Sequence, residues 1–270
     1  MNTGAQSVVS VSACRACGGA LTIIFCDLGR SAIANRYLRS LSDAAEEPRH
    51  PLRAIVCDDC KLVQLDRTID AGANFSDYAY CSSVSTAWVA HAADFVRTAI
   101  NRFALRTDSW IVEAASNDGY LLQHFVTRGY DVLGVEPATQ IACVAQTLNV
   151  PTIIDFLRPD LARSIVYEKG RTADLVIANN VIAHVPEINA FIQSLGILAG
   201  VDGIVSIEFP HLLRLIDGVQ FDTIYHEHYF YWSLLALERA LSRQGLFVHD
   251  TERLPTHGGS LRVYASQHRR

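Results

Sequence analysis

The sequence predicts a doubly wound α/β fold behind a small cysteine-paired subdomain, and three observations predict it. Beyond residue 107, apolar runs alternate with helical stretches: WIVEAA, YLLQHFVTRG, DVLGVEP, TQIACVAQTL, DLVIANN, INAFIQSLGILAG and GIVSIEF, in that order. Strand and helix in that rhythm give a parallel sheet covered on both faces. Upstream, Cys14/Cys17 and Cys57/Cys60 form two C-x2-C pairs among short β-type runs with little helical periodicity. The chain has 270 residues, 50% of them hydrophobic and 19% charged, enough for a real core and a smaller unit beside it.

The totals also exclude. A formal charge of −5 does not attract polyanions, so nucleic acid is not an expected partner. No run reaches the roughly 18 apolar residues that a membrane span needs. The best candidate, SLGILAGVDGIVSIEF, carries Asp202 and Gly203 in its middle. The N-terminus lacks a basic n-region and a long apolar h-region, so no secretory signal is read and a cytoplasmic protein is expected.

Taken in order, residues 1–12 read as a loose tail and 13–66 as a metal-binding subdomain. Two residues between thiolates let one tight turn present both sulfurs to a tetrahedral ion. Two such turns, CRAC and CDDC, complete a closed, zinc-ribbon-like Cys₄ site for one structural Zn²⁺. With no position left for water, that zinc holds structure and does no chemistry. The competing reading is buried or redox-active cysteine. Seven cysteines in a reducing compartment are ligands or small hydrophobes rather than disulfides, and Cys26, Cys81 and Cys143 read as core residues. Residues 67–107 read as a helical linker contributing to the site. Within it, VSTAWVAHAADFVRTAI sets Trp88, Ala92, Phe95 and Ile100 near one helical face. Residues 108–270 form the main core. Its late helix SLLALERALSRQG stops at Gly245, and FVHDTERL and SLRVYASQ close the sheet.

The first strand–turn–helix of that core is WIVEAASNDGYLLQHF. Cofactors bind beyond the strand ends of such folds. Glu113 ends the strand, Ala114 and Ala115 let a ligand approach the backbone, and Asn117 or Asp118 is placed to cap the following helix before Gly119. The turn lacks the G-x-G-x-x-G that a pyrophosphate would want. In DVLGVEP, Glu136 ahead of Pro137 ends the second strand, where a carboxylate accepts from both hydroxyls of a ribose. Glu113 is placed to face a cationic part of the ligand. Asp155 and Phe156 follow the third strand as candidates for the adenine, and Asn179 and Asn180 end the fourth. An adenosine with a charged amino-acid tail, S-adenosylmethionine, suits this set better than NAD, with fold analogy carrying part of the weight.

The opening CxxC…CxxC, FSDYAYCSSVS, EAASNDGYLL, GVEPA, NNVIAHVPE, FDTIYHEHYFYWS and HGGSLRVY stand in one order from Cys14 to about Ser266. Together they resemble the zinc-containing sugar C-methyltransferases. The resemblance implies a class I methyltransferase core and methylation of a carbon beside the ketone of a nucleotide-linked keto-deoxysugar. It implies His228 as the base, with Tyr225 and Glu227 lining the sugar site and Glu227 orienting a histidine. It places His184 and Tyr78 at the catalytic pocket and His257, Gly258 and Gly259 in a substrate-facing turn. Members of that family continue past HGGSLRVY into a further α/β domain that helps enclose the sugar nucleotide. The chain given ends at Arg270, so a shortened form or a fragment is expected, which bears on activity.

The chemistry suits those residues. A carbon must lose a proton before it attacks a sulfonium methyl, and a base with a near-neutral pKa favours histidine. The forming enolate oxygen needs donors already in place. Two other readings stay open. On an extended strand His226 and His228 would point the same way and could ligate a metal in a hydrolase or lyase. A protein that binds adenosylmethionine without turnover is the other. Taken alone, His184 and Tyr78 would be satisfied core residues. Metal analysis is expected to give one zinc per chain, retained in His226→Ala and His228→Ala and lost in Cys57→Ser; two metals would favour the hydrolase.

Overall fold

A computed structural model describes residues 8–34, 38, 40–69 and 81–268. The main layer is a seven-stranded sheet of order β12-β13-β10-β9-β6-β7-β8. Its strands are β6 (Trp110–Ala114), β7 (Asp131–Val135), β8 (Thr152–Ile153), β9 (Leu175–Asn179), β10 (Ile204–Pro210), β12 (Phe247–Leu254) and β13 (Ser260–Ser266). The pairs β8–β7, β7–β6, β6–β9 and β9–β10 are parallel, whereas β13 runs antiparallel to both β10 and β12. The strands buried on both faces show the two-residue period directly. Ile111, Leu175 and Ile177 enter one apolar cluster, while Val112, Val176 and Ala178 enter the other.

Helix α2 (Thr86–Arg102) covers the first face with Ala92, Phe95, Val96 and Ala99. It follows α1 (Leu41–Ala45) in the chain. The second face carries α5 (Pro159–Lys169), α6 (Ile188–Ala199) and α8 (Leu234–Arg243) through residues such as Ile165, Leu195 and Leu237. The short helices α3 (Gln123–Val126), α4 (Thr139–Thr147) and α7 (Leu212–Asp217) complete the set. Among the described residues no helix is long and apolar enough to cross a membrane.

The sequence places a cap for α3 at Asn117 or Asp118, and the structure spends those side chains elsewhere. The turn after β6 runs over residues 115–121 before α3 begins with Leu122 at its N-cap. Asn117 Oδ1 and Asp118 Oδ2 instead accept from the backbone N–H groups of Ser82 and Ser83, at 2.8 and 3.0 Å. Residues 82 and 83, just ahead of α2, are thereby tied to the turn after β6. The spare cysteines also differ from expectation. Cys143 is exposed and Cys26 and Cys81 are only half-buried, because Cys143 falls on the outer face of α4 beside exposed Val144.

A second sheet has the order β11-β4-β3-β2, from β2 (Leu21–Ser31), β3 (His50–Cys57), β4 (Val63–Leu65) and β11 (Phe230–Tyr231). A two-stranded ribbon, β1 (Val8–Ser10) with β5 (Arg67–Ile69), flanks it. Three of the four strands come from the N-terminal region, but β11 comes from the FDTIYHEHYFYWS stretch and pairs antiparallel with β4. The cysteine-paired unit and the main core therefore share a strand.

One polar cluster is buried inside the main layer. Glu208 on β10 meets Arg262 on β13 at 2.5 Å and His91 of α2 at 3.0 Å, and accepts from Thr256 Oγ1 at 3.2 Å. Arg262 also reaches Glu252 at 3.2 Å and lies over the Phe95 ring at 4.4 Å. Removing one partner leaves an uncompensated buried charge, so Arg262→Ala is expected to cost about 3–5 kcal/mol in urea unfolding. Breaking the exposed Arg97–Asp94 pair by Arg97→Ala is expected to cost no more than about 1 kcal/mol.

Candidate active site

The crevice opens at the C-terminal ends of β6, β7, β9 and β10, where an open α/β sheet receives its ligands. Glu113 near the end of β6 is 1% exposed, and its Oε2 has no hydrogen-bond partner. The turn that follows is left-handed at Ala115, Asn117 and Gly119, with φ of 54°, 50° and 79°. A non-glycine residue such as Ala115 holds that conformation at a cost of about 1–3 kcal/mol, a strain that clusters at ligand sites. Gly134 on β7 makes room for the turn, since a Cβ there would stand 2.3 Å from Ser116 Oγ.

Glu136 follows β7 and accepts from Asn117 N–H at 3.1 Å and Ala138 N–H at 2.9 Å. Pro137 between them is half-buried and leads to α4. Asp118 Oδ1, Asn179 Oδ1 and both amide atoms of Asn180 are buried without a partner. Asn180 is itself left-handed, at φ 51°, and its N–H donates to Glu208 O at 2.7 Å. Burial first, then the neighbouring Asp118 and Glu136, hold the Glu113 carboxyl well above the usual range. Burial also raises Glu136. Three acidic side chains thus meet at one crevice, and none of these pKa shifts traces to a positive neighbour.

Beside β8, Asp155 is taken up by Arg158 in a two-point pair at 2.9 and 3.0 Å, whose hydrogen bonds lower its pKa. The Phe156 ring is 43% exposed, a flat apolar surface. An Asp155 contact to a ligand would have to exchange with Arg158.

The residues of YHEH meet a second group. Tyr225 O to His228 N–H, at 3.0 Å, closes a turn over 225–228, so this stretch is not the extended strand that the H-E-H reading needs. His226 turns toward β3, donating from Nε2 to Pro51 O at 3.2 Å with its edge on His50. His228 points elsewhere. Its Nδ1 lies 2.9 Å from Thr223 O and its Nε2 2.8 Å from the Tyr225 hydroxyl. A carbonyl only accepts, so Nδ1 carries the proton and the Nε2 lone pair faces the phenol. His184, past β9, sits 4.6 Å from His228 between ring centroids, and its Nδ1 donates to the Glu227 backbone carbonyl at 3.0 Å. That contact is with Glu227's main chain; its side chain is buried. Burial pushes His184 down to about 4 and, with His184 alongside, puts His228 well below its ordinary value. Both rings are neutral at pH 7.

His257 occupies a left-handed turn with Gly258 and Gly259, at φ 51°, 74° and 121°. Its ring stands edge-on to Trp88 at 4.8 Å, and Trp88 stacks on His91 at 4.9 Å. Trp88, His91, Glu208 and Thr256 were not among the residues the sequence nominated. One signal was readable: Glu208 is the lone charge in the apolar run GIVSIEF. Tyr78 lies outside the described residues.

The four paired cysteines converge, with their sulfurs within 4.8 Å of one another, and among the described residues they are the only cluster suited to a metal. Cys14–Cys60 and Cys17–Cys57 stand 3.5 and 3.4 Å apart. Four thiols at that spacing fit one tetrahedral zinc, and burial pushes the Cys57 thiol up, which a bound cation would reverse.

A zinc binding domain family matches residues 14–75, and a methyltransferase domain family matches residues 88–251, more than half of the chain. The chain belongs to the methyltransferase domain family. Its fold is shared with solved methyltransferases. Magnesium protoporphyrin IX methyltransferase from Synechocystis PCC 6803, with bound SAH, superposes over 71% of this methyltransferase-family chain and 90% of its own, at TM-score 0.52 and 19% identity. The PH0226 protein from Pyrococcus horikoshii OT3 covers 69% and 94%, at TM-score 0.53 and 14% identity. C-methyltransferase NovU from Streptomyces niveus is 32% identical over 256 residues, which are 95% of this chain and 61% of that relative. The chain thus spans about three fifths of that relative's length.

The buried histidines give the family member an acid flank. His184 titrates near 4 in the fold and near 6.5 unfolded, so its contribution is complete above about pH 6.5 and is lost as pH falls toward 4. Glu113 and Glu136, raised by burial, work in the opposite sense. The slope of melting temperature against pH between 6.5 and 4 is therefore expected to be smaller in His184→Asn than in the parent; equal slopes would rule the shift out.

Proposed function

We propose that this chain is an S-adenosylmethionine-dependent C-methyltransferase acting on a carbon next to the ketone of a nucleotide-linked keto-deoxysugar. The observation that carries the reading is the Tyr225–His228 pair, a neutral imidazole whose Nε2 lone pair is aimed at a phenol beside His184. A carbon acceptor must lose a proton before it attacks the sulfonium methyl, and a neutral imidazole has a lone pair to take it. The likeness to a protein named a C-methyltransferase supports the same choice.

In this reading residues 13–66 form the zinc unit, 67–107 the linker and 108–270 the methyltransferase core, behind a tail at 1–12. Glu113 and Asp118 would hold the ammonium end of the cofactor, Glu136 the ribose and Phe156 the adenine face, with Asn179 and Asn180 closing the crevice. The cofactor supplies an electrophilic methyl on sulfur. The sugar carbon gives its proton to His228 Nε2 as the C–H pair moves into the enolate. A protonated Nε2 no longer accepts, so the Tyr225 hydroxyl is released to donate to the enolate oxygen. His184 keeps its proton on Nδ1 for Glu227 O, so its Nε2 serves as an acceptor for a sugar hydroxyl rather than as an enolate donor. The His257 turn completes the sugar side.

The direct test is a panel of keto-sugar nucleotides with methyl-labelled S-adenosylmethionine, alongside solvent exchange of the proton beside the ketone. His228→Ala is expected to lower both by about 10²–10⁴-fold. SAH should still raise its melting temperature as it does for the parent. Exchange that persists undiminished in His228→Ala would sink the assignment.

A further inference from the structure

The zinc unit does more than cap the fold. Knuckle Cys14–Cys17 is gripped from two sides. Asn189, in the first turn of α6, donates from Nδ2 to the carbonyls of Arg15 and Ala16 at 3.1 and 3.2 Å. Arg15 in turn donates from Nη1 to Pro186 O at 3.2 Å. The contacts fall just beyond His184, Pro186 on the loop after β9 and Asn189 at the start of α6. The Arg15 N–H also donates to Gln64 Oε1 at 3.2 Å, and Gln64 is the β4 residue paired with Phe230 of β11. Leu65 N–H adds a bond to Tyr229 O at 3.0 Å. β3 ends at Cys57 and holds His226 through Pro51. Each knuckle thus reaches one of the two segments that carry the reacting histidines. The polar side chains of the crevice draw on other partners: Asn117, Asp118 and Glu136 accept from the backbones of residues 82, 83, 117 and 138, none of them in the zinc sheet.

We infer that the zinc knuckles are a positioning element for His184 and His228, fixing the loop after β9 and the 225–231 segment relative to each other while leaving the cofactor crevice to the main sheet. The inference rests on the reading of these two histidines as the reacting pair. Physically, the two segments also touch directly, through Tyr229 N–H to Ala183 O at 2.8 Å and Trp232 Nε1 to Ile182 O at 3.1 Å. The alternative is that this direct contact suffices and the zinc unit is a passenger. The latch residues Asn189 and Gln64 are neither zinc ligands nor members of the crevice, so they separate the two.

The test uses Asn189→Ala and Gln64→Leu in the full chain. The first readout is the ring ¹⁵N NMR of His184 and His228 with no substrate present. The parent is expected to show both rings protonated at Nδ1 alone, and the variants to show mixed tautomers. Zinc content should stay at one per chain, and SAH affinity by calorimetry should stay within about twofold. With any keto-sugar nucleotide the parent methylates, turnover should fall by up to about 10²-fold, in kcat more than in KM for the cofactor. Unchanged histidine spectra in both variants would overturn the proposal. So would a loss of SAH affinity as large as the loss of turnover, since the latches would then hold the whole sheet. Because the spectra need no substrate, a failure of the latch is distinguishable from a failure of the proposed chemistry.

Discussion

Residues 225–232 belong to two layers at once, and the candidate site depends on that. β11 hydrogen-bonds into the zinc-side sheet, while Tyr229 and Trp232 on either side of it bond to the loop after β9. A two-residue strand contributes little pairing energy by itself. Its value is register, because a slip by one residue reverses every side chain. With Phe230 set opposite Gln64, the turn at 225–228 has one orientation, and His228 faces His184 while His226 faces His50.

Electrostatics divide the strand ends in a consistent way. Glu208 and Glu113 are both buried glutamates near the ends of parallel strands, β10 and β6, with β9 between them. Around Glu208 the protein supplies Arg262, His91 and Thr256, and the carboxyl is held below its usual range despite burial. Around Glu113 it supplies two more acids and leaves an oxygen unpartnered. Burying a carboxylate without a partner is costly, and the neighbouring cluster shows that this fold has the means to avoid it. The two positions thus differ in whether the fold supplies the carboxyl with partners.

The same economy of polar groups explains the histidines. Each ring spends its Nδ1 proton on a backbone carbonyl, Thr223 for His228 and Glu227 for His184. That bond selects the tautomer and leaves Nε2 as an acceptor on both. Burial then keeps both rings neutral, which suits a base and does not suit a proton donor. Two histidines 4.6 Å apart are therefore two acceptors, and the donor at His228 is the Tyr225 hydroxyl.

The sequence by itself determined the alternation of strands and helices, the paired cysteines and the small, acidic turn after the first core strand. These are local signals: a two-residue period, a turn that presents two sulfurs, a strand that ends in Glu. It also nominated His228 and Glu136, through motif likeness for the first and spacing for the second. Only the tertiary structure decided which way YHEH turns, that Asn117 and Asp118 serve residues 82 and 83 rather than a helix cap, and that Glu208 is neutralised while Glu113 is not. Those outcomes depend on partners far apart in the chain, such as Gln64 with Phe230 and Glu208 with Arg262. No local pattern encodes them, because a polar side chain meets its partner only after distant backbone has been packed against it.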